Sequence, residues 1–93
     1  MIEIRQTADG DVLEFDVARE GSGETRHHVT MAKATYERLT GRRHTPAQCL
    51  EAAFRFLLDR EPKESILRRF DVDVISRYFP EFEQTLPRYL SGS

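Results

Sequence analysis

The three histidines and the one cysteine of the chain, His27, His28, His44 and Cys49, fall between residues 27 and 49. His27 and His28 are adjacent within an alternating segment. On a strand they point to opposite faces and cannot chelate one ion together. His44 falls in a turn and Cys49 on an apolar helix stripe. Joining His27, His44 and Cys49 matches no ligand spacing of a known metal site. Cys49 reads as a small buried hydrophobe, although a place near a helix start is one where a thiol can be activated. Glu14 and Asp16 share a strand face, and Arg5 and Arg26 stand as cross-strand partners for them, so a solvated face is expected. The five glycines fall at turns, at a helix end and in the tail, with no phosphate-cradling loop. The expectation is a protein that is not an enzyme and has no cofactor and no metal. A second set of residues suits an anionic partner. Arg26, His28 and Thr30 lie on one strand face, and Arg42, Arg43 and Thr45 lie in a turn that opens a helix.

These residues depend on the elements that carry them. Ile2 and Ile4 alternate with Glu3 and Arg5, and Leu13, Phe15 and Val17 alternate with Glu14, Asp16 and Ala18. A period of two predicts strands. Asp9-Gly10 between them predicts a hairpin, because glycine accepts positive φ readily. A second turn is expected at Gly21-Ser22-Gly23, followed by a third strand over Arg26–Met31 with His27, Val29 and Met31 on one face. Connections this short predict neighbours in the order 1-2-3. Three strands alone have too little core, so helices must cover one face. A short helix is predicted over about 31–40, with Ala32, Tyr36 and Leu39 in one stripe and Gly41 as its left-handed terminator. Thr45-Pro46-Ala47-Gln48 combines an N-cap, proline at the first helical position and a capping-box glutamine. The helix it opens is predicted to reach about Arg60. Leu50, Ala53, Phe54, Leu57 and Leu58, widened by Cys49 and Phe56, make an apolar face broad enough to pack on two sides. Pro62, Pro80 and Pro87 are each expected to break or begin a segment. Two helical turns are predicted over 62–69. Asp71 is expected to cap a helix over 72–78, with a short strand as the competitor because Val72, Val74 and Ile75 are β-branched. A further short helix is expected over 80–86, with Phe82 and Leu86 on one side. The fold class is α+β: a three-stranded antiparallel meander covered by a central amphipathic helix and several short C-terminal helices. Residues 1–90 form one domain, and 91–93 form a disordered tail.

Two resemblances accompany this reading. Strand, helix, turn and helix in that order over residues 26–60 resembles the ribbon-helix-helix DNA-binding proteins. "VTMAKATYERL" resembles the strand and first helix, and "GRRHTPAQCLEAAFRFLLDRE" the turn and second helix. The resemblance implies a homodimer whose paired strands enter the major groove. Arg26, His28 and Thr30 would then face bases, and the helix start near Thr45 and Pro46 would hold a phosphate. Separately, "FRFLLDREPKESILRRFDVDVISRYFPEF", residues 54–82, is similar to the C-terminal stretch of small bacterial proteins of unknown function.

Composition bounds the remaining classes. The chain has 93 residues, 39% of them hydrophobic and 32% charged, too apolar for disorder and short enough for one domain. No apolar run approaches the roughly 18 residues of a membrane span, so no membrane partner is expected. A lone cysteine makes no internal disulfide, and a cytoplasmic setting is expected. The net charge of −2 conceals an uneven spread: −5 over residues 1–25, +4 over 26–60 and −1 over 61–93. The basic stretch coincides with the strand-helix-helix unit, so any anionic partner, DNA included, is expected there. Phe70, Tyr78, Phe79, Phe82 and Tyr89 concentrate in the last third. They read mainly as core, and any left exposed would suit a protein partner. The function expected by elimination is a non-catalytic interaction or regulatory module with a protein partner. A DNA-binding homodimer is the alternative.

Overall fold

The computed structural model describes residues 2–20 and 23–91. Its strands are β1 (Ile2–Asp9), β2 (Val12–Arg19), β3 (Thr25–Ala32) and β4 (Arg69–Asp71). Its helices are α1 (Lys33–Thr40), α2 (Pro46–Leu58), α3 (Asp73–Tyr78) and α4 (Phe82–Ser91), with a 3₁₀ turn at Lys63–Ser65. The fold is α+β. The first three strands pair antiparallel in the order 1-2-3, as their alternation predicts. Phe15, Val17, Val29 and Met31 face the helices and are buried, while Glu14, Asp16, His28 and Thr30 face away. The turn after Asp9 stands where expected, but Gly10 does not adopt a left-handed φ. A bulge at Thr7, between the pairs Gln6–Phe15 and Ala8–Glu14, shifts the register just before that turn. The second expected turn begins at Gly21 and Ser22, which lie outside the described residues; Gly23 has φ +74°.

The sheet departs from the expected meander by one strand. β4 adds to β3 in parallel, with His28, Val29 and Thr30 opposite Arg69, Phe70 and Asp71. Residues 62–69 therefore do not form two helical turns. One 3₁₀ turn follows Pro62, and the chain then extends. Its backbone is claimed by β3: the His28 N–H donates to the Arg68 carbonyl at 2.7 Å, and the Val72 N–H to the Thr30 carbonyl at 2.9 Å. A three-residue strand carries too little alternation to reveal itself in sequence.

α1 begins at Lys33, not Met31, because Met31 and Ala32 complete β3 opposite Leu13 and Val12. Gly41 ends it at φ +60°, its N–H on the Glu37 carbonyl at 2.8 Å. α2 opens on the full capping box. The Thr45 hydroxyl accepts from the Gln48 amide at 3.1 Å, and the Gln48 side chain accepts from the Thr45 amide at 2.8 Å. α2 is packed on two sides. Phe54 faces the sheet, its ring 5.3 Å from His27 and 6.1 Å from Phe70. Phe56 faces the C-terminal helices, 5.0 Å from Phe82, 5.8 Å from Phe79 and 5.9 Å from Tyr89. α2 ends at Leu58, just short of Arg60, whose guanidinium stacks 3.6 Å from the Phe56 ring centre and bonds Glu81 at 3.0 Å.

Residues 73–78 are helical, which settles the competition with a strand. Asp71 serves this helix from two residues ahead: its carboxylate takes the Asp73 amide at 2.9 Å and the Thr30 hydroxyl at 2.7 Å. α4 runs from Phe82 to Ser91, past the expected end at Leu86. Pro87 sits inside it instead of breaking it. An interior proline costs about 3 kcal/mol, but Phe82, Leu86 and Leu90 recur every four residues and are all buried, and each such side chain contributes about 1.5–3 kcal/mol. Ser91 belongs to this helix, not to a disordered tail; Gly92 and Ser93 lie outside the described residues.

Candidate functional site

The face of the sheet turned away from the helices is built in rows. Arg5, Asp16, His28 and Arg69 occupy successive positions across all four strands. Glu3, Ala18 and Arg26 form the next row, and Glu14, Thr30 and Asp71 the one on the other side. His28 and Thr30 thus share an open face with Arg26, as the alternation predicts. Acids hold all three. The two ring nitrogens of His28 meet Asp16 at 3.0 Å and Glu14 at 3.1 Å. A neutral ring donates to one of these carboxylates; the imidazolium donates to both. Arg5 completes the cluster at 3.0 Å from Asp16. These bonds from His28 and then Arg5 hold the Asp16 carboxyl below its usual range. Arg26 pairs with Glu24 at 2.8 Å, and Thr30 donates to Asp71. A shallow concavity of about 530 Å³ lies above Ala18, whose small side chain leaves room between Glu3, Arg5, Arg26 and Arg68. With Glu3, Glu14, Asp16 and Asp71 on this face, its arginines do not make a field that favours a polyanion.

β3 is an interior strand, paired with β2 on one side and β4 on the other. The strand pairing that the ribbon-helix-helix resemblance implies needs a free β3 edge, and β4 occupies it. Arg42, Arg43 and Thr45 lie apart from the sheet face, in the α1–α2 turn. Arg42 takes a left-handed φ of +62° and pairs with Glu37 at 2.7 Å. Arg43 is exposed and has no ion pair among the described residues. The Thr45 hydroxyl is spent on the Gln48 amide and Pro46 has no N–H, so little of the α2 start is left to receive an anion.

Other groups are structural. His27 is buried, with Nδ1 2.8 Å from the Leu67 carbonyl and Nε2 3.1 Å from the Thr25 hydroxyl. It pins the approach to β4 onto β3. The Cys49 thiol is buried 3.9 Å from the Met31 sulfur, and burial pushes its pKa up to about 12. An activated thiolate does not fit that setting. His44 accepts the Tyr36 hydroxyl at its carbonyl. Among the described residues no group of three or more His, Cys, Asp or Glu side chains is placed to hold a metal, and no helix is long and apolar enough to cross a membrane.

What sequence reasoning missed is an apolar groove of about 130 Å³ where β4, α3 and the end of α2 meet. Leu57, Ile66, Leu67, Phe70, Val74 and Tyr78 line it. Leu67 is 50% exposed and Tyr78 70%, the largest exposures among the big apolar side chains of the described residues. Of the five aromatics in the last third, Phe82 is buried, Phe70, Phe79 and Tyr89 are half-buried, and Tyr78 is exposed. The sequence places Leu67 beside Ile66 on the two turns expected over 62–69, and nothing in that spacing marks Leu67 as exposed while Ile66 is buried. Glu61 is the charged residue in the groove lining. Arg68 and Arg69 belong to the open-face side of the β4 segment, and they and Arg77 of α3 have no ion pair among the described residues. No protein-family model, curated protein or solved structure matches the chain.

Proposed function

We propose that the chain is a non-catalytic interaction module that docks a segment of another protein in the groove between β4 and α3. The observation that carries this reading is the pairing of Leu67 and Tyr78, both exposed, across an apolar depression beside a sheet edge. Exposed apolar side chains scattered singly are ordinary; grouped around a concavity they mark contact sites. β4 is an edge strand, so its outer backbone groups are free to pair with an extended chain. Arg68 and Arg69, on the open-face side of the β4 segment, and Arg77 in α3 lie outside the groove lining and have no ion pair among the described residues, so they would meet the flanks of a bound segment and not its anchors. The segment that fits carries one or two apolar anchors, leucine or aromatic, flanked by acidic residues. Acidic flanks would steer it and fix its direction, while the anchors would supply most of the affinity.

The test is a titration of ¹⁵N-labelled protein with an immobilisation-free library of acidic peptides bearing a single leucine, phenylalanine or tryptophan. The expected result is saturable shifts at Leu67, Phe70, Val74 and Tyr78, lost in Tyr78→Ala. Shifts confined to another surface, or no peptide with millimolar affinity or better, would refute the assignment.

A further inference from the structure

β1 is the other edge of the sheet. Edge strands are commonly guarded by lysine, proline, brevity or distortion. β1 is eight residues long and contains neither lysine nor proline. Its single bulge lies at Thr7, which leaves Ile2–Gln6 regular.

Those five residues are complementary to themselves. In an antiparallel two-fold pair centred on Ile4, Glu3 stands opposite Arg5 of the partner subunit, and Arg5 opposite Glu3 of the partner subunit. Both contacts fall on the open face. On the helix-covered face Ile4 meets its own copy and Ile2 meets Gln6. The bulge at Thr7 closes this register at its end. Sliding the register by two residues in one direction centres the pair on Glu3 and sets like charges together; sliding it in the other centres it on Arg5 with the same fault. Like charges directly opposite are destabilising, whereas opposite ones contribute.

A second observation points to the same contact. Glu3 and Glu20 lie close enough to act on one another, and neither has an Arg or Lys ion pair among the described residues. Their proximity holds the Glu20 carboxyl above its usual range. Arg26 offsets Glu20 only in part, and the two-fold register brings a further cation beside Glu3: Arg5 of the partner subunit, shared with the Asp16 that it bonds in its own chain.

We propose that the β1 edge binds a second copy of this chain as a two-fold antiparallel ribbon over Ile2–Gln6, with Arg5 of the partner subunit set against the Glu3–Glu20 carboxyl pair. The four-stranded sheets then join into one sheet of eight. This contact uses the edge opposite to the β4 groove, so it stands or falls separately from peptide docking there.

The test begins with sedimentation equilibrium of the full chain from micromolar to millimolar concentration. The expected result is a reversible shift from one-chain to two-chain mass. A one-chain mass throughout overturns the proposal. Arg5→Glu places acids opposite acids and should raise the dimer dissociation constant at least tenfold, with circular dichroism checking that the fold persists. Ile4→Cys gives a readout that does not depend on stability. Ile4 faces its own copy, at a Cα separation of roughly 4.5–5.5 Å in a two-fold pair, within disulfide range. Cys49 is buried and does not compete. Mild oxidation should link Ile4→Cys chains into dimers and leave Thr7→Cys chains mostly unlinked. A dimer that survives Arg5→Glu and fails to link through residue 4 forms on another surface and overturns the assignment.

Discussion

Asp16 shows how the residue-scale chemistry of this protein is spent within the chain. It accepts from both His28 and Arg5, and its carboxyl is held below the usual aspartate range of about 3.9. A carboxyl depressed in the folded state contributes stability that is fully present above its unfolded pKa and is lost as pH falls through the folded value. Asp16→Asn should therefore lower the urea midpoint at pH 7, with the gap to the parent closing progressively below about pH 4. A gap that persists unchanged to pH 2 would count against this account of Asp16. Cys49 yields a second prediction at the same scale. A thiol raised to about 12 and buried against Met31 should react with iodoacetamide only as fast as the protein opens. Adding 6 M guanidinium should speed the reaction by orders of magnitude, and fast labelling of the native protein would contradict the buried position. The sequence made Cys49 legible as core, because it lies on the stripe with Leu50 and Ala53. It also placed Arg26, His28 and Thr30 on one strand face. It did not reveal that acids from β2 and β4 hold His28 and Thr30, since the contact between Thr30 and Asp71 spans 41 positions.

Among the elements, α2 was the most legible, and for a physical reason: its start is written in four consecutive residues. Thr45→Ala removes one capping bond and leaves the Gln48 amide unpaired. That should cost about 1 kcal/mol in global stability, measured by urea denaturation, while Thr45→Asp should retain most of it. Phe54 carries a larger load because it joins α2 to both His27 and Phe70. Phe54→Ala should cost about 3–5 kcal/mol and should loosen β4 before the meander, visible as faster amide exchange at Val72 than at Phe15 or Val17. β4 and α4 were the least legible. β4 is three residues long, and nothing in Arg69-Phe70-Asp71 distinguishes a strand until β3 offers its edge. In α4 the rule that proline stops a helix lost to the burial of Phe82, Leu86 and Leu90. Such burial is a tertiary effect that local propensity does not contain.

At the scale of the whole molecule, charge is distributed as an internal ledger. The acidic first segment and the basic middle one meet on the open sheet face, where Asp16 and Glu14 from β2 meet His28 of β3. Of the middle segment's bases, Arg26 and Lys33 pair with Glu24 and Asp9 of the first segment, while Arg38 and Arg60 pair with Glu83 and Glu81 of the last. Two surfaces concern a partner: the apolar groove beside β4 and the β1 edge. They lie at opposite ends of the sheet. A Tyr78→Ala chain should keep the oligomeric state of the parent in sedimentation, and an Arg5→Glu chain should keep the parent's response to acidic peptides. If either variant changes both properties, the two ends are coupled.

The parallel pairing of β4 with β3 also bears on the order in which the protein is made. During synthesis β3 leaves the ribosome about 40 residues before its last neighbour does. Through that interval its outer edge is bare, while β1, β2 and β3 can already zip together from short-range contacts. The nascent chain thus passes through a stage in which the unsealed side of β3 can recruit any strand nearby, and nascent chains on one message are the nearest source. Closure by β4 ends that hazard. Variants that weaken it, such as those at Phe70 or His27, should show their effect first as insoluble product during expression and only second as a lowered melting temperature.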